Sequence, residues 1–201
     1  MTDSKQALRR QYRQVRDALA TGTRQQFDQA ILKKLQDLPE ILSAQCLFSY
    51  VSVGSETDTR HLLDWLHGRG TQLAVPAIRK HNEMYAVTFS GWSNMIRDKA
   101  GIPSPDPALE INCPIDVCIT PGLAFTESGI RLGQGQGNYD RWFATHQVDV
   151  KIALAYECQL TRALPQEEND ISVKMIVTEQ RIIRVSSPPI YAPSNWPPVN
   201  R

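Results

Sequence analysis

The chain has 201 residues, a length that suits one domain with a substantial buried core. Its 22 Lys and Arg residues nearly balance its 21 Asp and Glu residues, so no overall field draws it to nucleic acid or to a membrane. No apolar run approaches the length of a membrane span, and the polar start from Met1 to Gln6 lacks the apolar core of a signal peptide. We therefore expect a cytoplasmic protein without nucleic-acid or membrane partners.

The cysteines carry no metal-binding pattern. Cys46, Cys113, Cys118 and Cys158 include no CxxC pair, and the scattered histidines do not approach them at zinc spacing. We interpret them as reduced thiols, mostly buried.

Two helices are predicted at the start of the chain. Residues 4–19 have the apolar periodicity of a helix, and Thr23 is a candidate N-cap for a second helix that Pro39 ends. Beside the apolar face of the first helix runs a basic stripe, formed by Lys5, Arg9, Arg13 and Arg16.

From residue 46 onward, strands and helices alternate. Strands are predicted at 46–51, 73–76, 84–89, 116–121, 151–156 and 175–178. One helix lies between the first two strands, begun by Asp58 or Thr59, and a short helix covers 139–146. The proline-rich stretch 101–107 is expected to be a loop. This alternation predicts an α/β fold with a mostly parallel sheet.

The chain is expected to form one domain over residues 1–187. Residues 188–201 form a tail, mobile or draped on the surface, that contains Pro188, Pro189, Pro193, Pro197 and Pro198.

A glycine loop follows the strand at 116–121. Gly133, Gly135 and Gly137 alternate just before the short helix, and glycine lets a backbone turn sharply and approach a bulky anion. Amides at a helix start then point at phosphate oxygens. Arg131 adds a guanidinium group, and Asp140 can hold Mg²⁺. The spacing fits neither GxxxxGK[ST] nor GxGxxG, so a turn in which the glycines serve only geometry is the alternative.

The residues around this loop form a longer pattern. The stretches DVCITPGLAF at 116–125, GIRLG at 129–133 and YDR at 139–141, with Gly135 and Gly137, resemble the signature of the 5-formyltetrahydrofolate cyclo-ligase (methenyltetrahydrofolate synthetase) family. Further elements of that family occur in order: Lys5-Gln-Ala-Leu-Arg9, Glu56-Thr-Asp-Thr59, Val75-Pro76, Glu157-Cys-Gln159, and Asn169-Asp170 with Val177-Thr-Glu179. The resemblance covers nearly the whole chain before the tail.

The resemblance implies a fold and an activity. The fold would be a three-layer α/β/α sandwich related to the ribose-phosphate isomerase and CoA-transferase type. The activity would be conversion of 5-formyltetrahydrofolate to 5,10-methenyltetrahydrofolate, with ATP and Mg²⁺. The formyl oxygen is phosphorylated, the N10 nitrogen attacks, and the ring closes.

Because this chemistry needs positioning and charge neutralisation, we expect no nucleophilic side chain. The partners would be reduced folate and ATP, and the protein a monomer.

The resemblance also assigns site residues. The nucleotide site would comprise Lys5, Arg9, Arg131, Leu132, Gly133, Gln134, Gly135, Gln136, Gly137, Asn138 and Tyr139. The folate site would comprise Val53, Glu56, Asp58, Gln134, Gly135, Gln136, Gly137 and Asn138. Asp140 and Asp170 would hold magnesium.

Each assignment has a structural alternative. Lys5 and Arg9 lie one helical turn apart, and by spacing alone they belong to a solvated basic stripe. Asp140 and Asp170 can be surface carboxylates or caps, Tyr139 a core residue, and Asp58 the cap of its helix.

Several positions depart from the family pattern. Gln134 stands where a basic residue is common, Gln136 where Gly or Lys is usual, and Asn138 in place of an aromatic that would pack on the folate. Thr126 replaces Asp, Ser104 replaces Glu and Lys174 replaces an acidic residue. If position 136 requires positive φ, Gln136 would cost about 1 kcal/mol.

These departures leave three hypotheses in order. The first is an active cyclo-ligase. The second is a nucleotide- or folate-binding relative without turnover. The third is an enzyme that acts on a different substrate, such as a sugar phosphate, and it rests on fold analogy alone.

Overall fold

The computed structural model describes residues 2–80, 83–97 and 103–185. The helices are α1 (Thr2–Asp17), α2 (Thr21–Gln36), α3 (Pro39–Leu42), α4 (Arg60–Gly68) and α5 (Asn138–Thr145). The strands are β1 (Cys46–Ser49), β2 (Gln72–Ile78), β3 (Met84–Thr88), β4 (Met95–Arg97), β5 (Pro103–Pro105), β6 (Ile115–Thr120), β7 (Ala124–Thr126), β8 (Arg131–Leu132), β9 (Val148–Leu154), β10 (Leu160–Thr161), β11 (Met175–Val177) and β12 (Ile182–Arg184).

A seven-stranded sheet organises the fold, in the order β12-β11-β9-β6-β1-β2-β3. The five inner strands are parallel, whereas β12 and β3 pair antiparallel at the two edges. The chain runs from β1 outward to β2 and β3, and then returns to place β6 on the other side of β1. The direction of winding therefore reverses between β1 and β6. β7, β8 and β10 form a smaller sheet beside it.

Both faces of the inner strands are buried, which explains their continuous apolar sequences. In β1, Leu47 packs in one cluster with Leu35 of α2 and Leu63 of α4. The neighbouring Phe48 packs in another cluster with Trp142 of α5. Because successive residues of a strand point to opposite faces, the helices cover the sheet on both sides.

The predicted strands and helices are confirmed with small shifts of their ends. The second helix begins at Thr21 rather than after Thr23. The loop prediction for 101–107 is wrong at Pro103–Pro105, which pairs with Met95–Arg97 as a two-stranded ribbon. Proline is tolerated in such an edge strand because one side of the strand needs no ladder hydrogen bonds.

The predicted tail at 188–201 lies outside the described residues. Among the residues that are described, no helix has both the length and the apolar character needed to cross a membrane.

The packing of α4 on the sheet predicts a specific loss of stability. Leu63 is fully buried, so Leu63→Ala should lower the free energy of unfolding by about 2 to 5 kcal/mol through lost burial and a residual cavity. Urea denaturation measures this change. Leu109 is 63% exposed, and the same substitution there should cost less than about 1 kcal/mol. Equal losses at the two positions would contradict this description of the core.

Candidate active site

A cavity of about 810 Å³ opens at the carboxyl ends of β1, β2 and β6. Tyr50 and Val51 follow β1, Pro121 follows β6, and Ala77 and Ile78 end β2, and all five line the cavity. Ligand sites of open α/β sheets lie at the carboxyl ends of strands, where the winding reverses. The position of this cavity between β1 and β6 therefore follows from the strand order.

The cavity brings together residues that lie far apart in the sequence. Of the site residues predicted from the sequence, all except Asp58 line it: Lys5, Arg9, Val53, Glu56, Arg131, Leu132, Gly133, Gln134, Gly135, Gln136, Gly137, Asn138, Tyr139, Asp140 and Asp170.

Asp58 lies outside the lining and serves the start of α4. Its Oδ1 accepts hydrogen bonds from Ser52 Oγ at 2.9 Å and from the Arg60 backbone N–H at 3.0 Å. Its own backbone N–H donates to Asp28 Oδ1. These contacts correspond to the capping alternative, although the capping position itself belongs to Thr59.

Helix α1 supplies the cations of the cavity. Lys5 is only 7% exposed, and its Nζ contacts Asp170 Oδ2 at 2.6 Å and Glu167 Oε1 at 3.2 Å. Arg16 is also buried, and its Nε donates to Ser55 Oγ. The alternative of a solvated basic stripe is therefore wrong for Lys5, and Arg9 is half-buried with its Nε bonded to the Gly133 carbonyl.

The glycine loop runs from Gly133 to Gly137 and leads into α5. Gly135 has φ of 105° and Gly137 has φ of 65°, a region that favours glycine. The positive φ angles of the loop thus lie on the two glycines that flank Gln136. The expected strain of a glutamine with positive φ therefore does not arise from these two positions. Gly137 occupies the N-cap position of α5.

Each loop glycine also lies against an arginine side chain. A Cβ atom would come within 2.9 Å of Arg131 Nη1 at Gly133, 3.3 Å of Arg9 Cζ at Gly135, and 3.0 Å of Arg141 Nη1 at Gly137. Arg9 Nε in addition donates to the Gly133 carbonyl at 3.1 Å. The missing side chains therefore let guanidinium groups approach the loop backbone.

An ion pair with a buried arginine supports the loop. Arg131 Nη2 donates to Asp140 Oδ1 at 2.7 Å, and Arg131 Nη1 donates to the Pro121 carbonyl at 3.3 Å. Arg131 is 8% exposed, so its charge is shielded from water and the pair connects β8 to α5. The Arg131 Nε has no hydrogen-bond partner among the described residues.

Asp140 and Asp170 are the carboxylates predicted to hold magnesium, although the described residues contain no group of three or more potential metal ligands. The Ile171 backbone N–H, next to Asp170, donates to Asp140 Oδ1 at 3.2 Å and so links the two carboxylate segments. The hydrogen bonds within the described residues use Oδ1 of Asp140 and Oδ2 of Asp170, which leaves one oxygen of each carboxylate. Mg²⁺ is usually held by one or two carboxylates together with substrate phosphates and water.

Glu56 is a further carboxylate of the cavity. Its Oε2 accepts from the Val53 backbone N–H at 3.1 Å, and its Oε1 accepts from Gln134 Nε2 at 3.3 Å. Burial raises the pKa of the Glu56 carboxyl, an effect that the Val53 hydrogen bond and the Arg16 charge oppose.

Tyr139 belongs both to the cavity and to the core. Its ring packs with Phe48 and Phe143, at centroid distances of 6.1 and 6.0 Å. Its hydroxyl is buried without a hydrogen-bond partner in the described chain, and burial raises its pKa well above the ordinary value.

Two of the departing residues form a polar cluster on the loop. Asn138 Nδ2 donates to Gln136 Oε1, while Arg141 donates to the Gln136 carbonyl at 2.7 Å and to Asn138 Oδ1 at 2.6 Å. The segment is therefore held by amide groups and Arg141.

The departures outside the loop have local explanations. Buried Thr126 accepts from the Ile130 backbone N–H and closes the turn between β7 and β8. Lys174 Nζ donates to the Asp149 carbonyl, and Ser104 lines the cavity.

Several lining residues were not predicted from the sequence. Glu167, Tyr50 and Arg16 contribute polar groups, while an apolar wall is formed by Val51, Pro76, Ala77, Ile78 and Met84. Most residues of this apolar wall could be found from the sequence by their position, because they lie at the carboxyl ends of predicted parallel strands.

Comparison with known proteins agrees with this geometry. The 5-formyltetrahydrofolate cyclo-ligase family matches residues 1–179. The chain is 29% identical over 177 residues to the Escherichia coli K12 protein named 5-formyltetrahydrofolate cyclo-ligase, covering 85% of this chain and 97% of that protein. It is 30% identical over 190 residues to the cyclo-ligase of Mycolicibacterium smegmatis, covering 89% and 95%.

Solved structures have the same fold. The Aquifex aeolicus 5,10-methenyltetrahydrofolate synthetase matches with a TM-score of 0.82 and 27% identity, covering 91% of this chain and 93% of that chain. The Mycoplasma pneumoniae 5,10-methenyltetrahydrofolate synthetase, at 24% identity and a TM-score of 0.66, shows the fold alone and covers 87% and 98%. Because the family match spans residues 1–179, this chain belongs to the 5-formyltetrahydrofolate cyclo-ligase family.

Proposed function

We propose that this chain converts 5-formyltetrahydrofolate to 5,10-methenyltetrahydrofolate, with ATP cleaved to ADP and phosphate. The observation that carries the proposal is the meeting, in one cavity, of the glycine loop, the cations of α1 and an apolar wall. The loop and the cations suit a polyphosphate, and the wall suits the flat rings of a reduced folate.

The phosphates would bind at the loop. Arg9 already lies against Gly135 and donates to the Gly133 carbonyl, so its guanidinium is held beside the loop backbone. Arg131 lies against the loop, and its ion pair with Asp140 connects β8 to α5. Loop amides and Arg9 would then neutralise the charge on the phosphoryl group during transfer.

The folate rings would pack on the apolar wall. Pro76, Ala77, Ile78 and Met84 line one side of the cavity, and Ile78 is 44% exposed there. Val53 and Glu56 would contact the polar edge of the substrate, together with the loop from Gln134 to Asn138.

The reaction needs activation because a formamide oxygen is a poor leaving group. The formyl oxygen attacks the γ-phosphorus of ATP and releases ADP. The N10 nitrogen then attacks the activated carbon and loses its proton, and phosphate departs with the former formyl oxygen as the ring closes. Each step depends on alignment and charge neutralisation, so the side chains of the cavity serve to bind and orient.

Asp140 and Asp170 would hold Mg²⁺. The metal would neutralise phosphate charge on ATP. Lys5 would position Asp170, since its Nζ contacts the Oδ2 of that carboxylate at 2.6 Å and leaves the Oδ1 for the metal.

The wider predictions from the family remain part of this proposal. Helices on both faces of the sheet support a three-layer α/β/α sandwich of the ribose-phosphate isomerase and CoA-transferase type. We further propose one domain over 1–187 with a tail at 188–201, in a cytoplasmic monomer.

The function is tested by direct assay of the full chain. Protein mixed with 5-formyltetrahydrofolate and Mg-ATP should raise the absorbance of the methenyl product, with one ADP formed per product. Omission of ATP should abolish the rise. If both ligands bind but no product forms at high protein concentration, the chain is instead a binding relative without turnover.

The loop geometry predicts the effect of adding a side chain. Gly135→Ala places a Cβ on a residue with φ of 105° and against Arg9, so it should weaken ATP binding by roughly tenfold, or about 1.4 kcal/mol. Gly22→Ala is the control, because Gly22 lies in α2 with open space around it. Titration calorimetry measures both affinities, and equal ATP affinity in the two variants would contradict a phosphate site at this loop.

The metal assignment predicts a changed magnesium requirement. Asp170→Asn keeps the shape of the side chain but removes its charge, so half-maximal activity should need roughly tenfold more Mg²⁺. Asp149→Asn, at an exposed position on β9 outside the cavity lining, should leave the requirement unchanged. Magnesium titrations of both activity and nucleotide binding check this, and the same midpoint in both variants would remove Asp170 from the metal site.

A further inference from the structure

Three side chains from separate segments form a bridge across the cavity. Arg13 Nη2, on α1, donates to Gln134 Oε1 over 2.7 Å. Gln134 Nε2, on the glycine loop, donates to Glu56 Oε1 over 3.3 Å. All three residues line the cavity, and Glu56 belongs to the segment that follows β1. This Arg13–Gln134–Glu56 bridge thus joins α1, the loop and the strand ends.

An amide at position 134 suits this bridge for a simple reason. An amide accepts a hydrogen bond from a guanidinium group through its oxygen and donates one to a carboxylate through its nitrogen. A cation at 134 would repel Arg13, and a carboxylate would repel Glu56. Gln134 therefore holds the Arg13 side chain over the cavity without neutralising its charge.

Arg13, like Arg9 and Arg16, differs from Lys5 and Arg131 in having no carboxylate partner among the described residues. Lys5 is paired with Asp170 and Glu167, and Arg131 is paired with Asp140. Within the described part of the chain, no carboxylate forms an ion pair with Arg13. A guanidinium group carries five N–H donors in a planar fork that matches a carboxylate. The hydrogen bond to Gln134 uses one of these donors.

The position of Arg13 along α1 indicates which ligand it faces. Lys5 marks the end of the cavity with Asp170, where the metal and phosphates would lie. Arg13 is eight residues further along the helix, or about 12 Å along its axis. At that distance its guanidinium is hydrogen-bonded to Gln134, which in turn donates to Glu56, a residue proposed for the folate alone.

We propose that Arg13 binds a carboxylate of the glutamyl end of the reduced folate and that Gln134 positions Arg13 for this contact. The inference rests on the proposed function, because it assumes that a reduced folate binds in the cavity beside Glu56. It makes Arg13 a determinant of folate specificity that is separate from the nucleotide site at Lys5 and Arg9.

The test compares two substrates that differ only in charge at the glutamyl end. One is 5-formyltetrahydrofolate, and the other is its diamide, in which both glutamyl carboxylates are amides. For the full chain, the KM for the diamide should exceed that for the folate by roughly tenfold. Arg13→Gln should raise the folate KM by a similar factor, with kcat and the KM for ATP unchanged, and should have no effect on the diamide.

Three further variants separate binding from positioning. Arg10→Gln changes an exposed arginine of α1 that lies outside the cavity lining, and it should behave as the unaltered chain. Arg13→Lys keeps the charge but loses the planar fork, so it should recover part of the folate affinity. Gln134→Leu removes both hydrogen bonds of the bridge and should raise the folate KM about threefold, again without an effect on the diamide.

Each other result overturns the proposal. An unchanged folate KM in Arg13→Gln would make Arg13 a solvated surface residue. An equal penalty on folate and diamide would exclude a carboxylate contact, and a raised KM for ATP would assign Arg13 to the phosphates. If the unaltered chain forms no methenyl product, the proposed function fails. Titration calorimetry with the folate and the diamide then tests Arg13 separately, through the same difference in Kd.

Discussion

The glycine loop depends on the ion pair between Arg131 and Asp140. The Arg131 side chain is almost fully buried, and Asp140 lies on the first turn of α5. Removing Asp140 would leave the buried Arg131 guanidinium without its carboxylate partner, which destabilises the folded chain. Because the pair joins the strand before the loop to the helix after it, the three glycines between them are held at both ends. Gly133 lacks a side chain where Arg131 must pass.

Helix α1 is the second support of the site, although it is the first element of the chain. It is fastened to distant segments by four basic residues: Lys5 to Asp170, Arg9 to Gly133, Arg13 to Gln134 and Arg16 to Ser55. Its half-buried Leu8 and Tyr12 pack on the cluster of Ala124, Leu132 and Leu164. The helix thus forms one wall of the cavity and supplies much of its positive charge. Its contacts gather positive charge at the cavity although the whole chain has almost zero net charge.

The residues that depart from the family pattern alter how the loop is held. Gln136 and Asn138 form a cluster with Arg141, and Gln134 connects Arg13 to Glu56. Positive charge near the loop therefore comes from Arg131 on β8 and from arginines on the neighbouring helices, while the loop itself carries neutral amides. The positive φ angles at Gly135 and Gly137 remain available because the glycines are retained. This arrangement keeps the geometry of the loop, while the positive charge comes from residues around the loop rather than from the loop itself.

The sequence by itself determined six of the seven strands of the large sheet, four helices and the residues of the glycine loop, because these depend on local periodicity and turn chemistry. With the family resemblance it also identified most of the cavity lining. Only the tertiary structure decided that Lys5 and Arg16 are buried, that Asp58 starts α4 outside the lining, and that 103–105 forms a strand. Those outcomes depend on partners far away in the sequence, such as Asp170 for Lys5, 165 residues on. Local pattern carries no information about such contacts, since they arise only when the sheet brings its strand ends together.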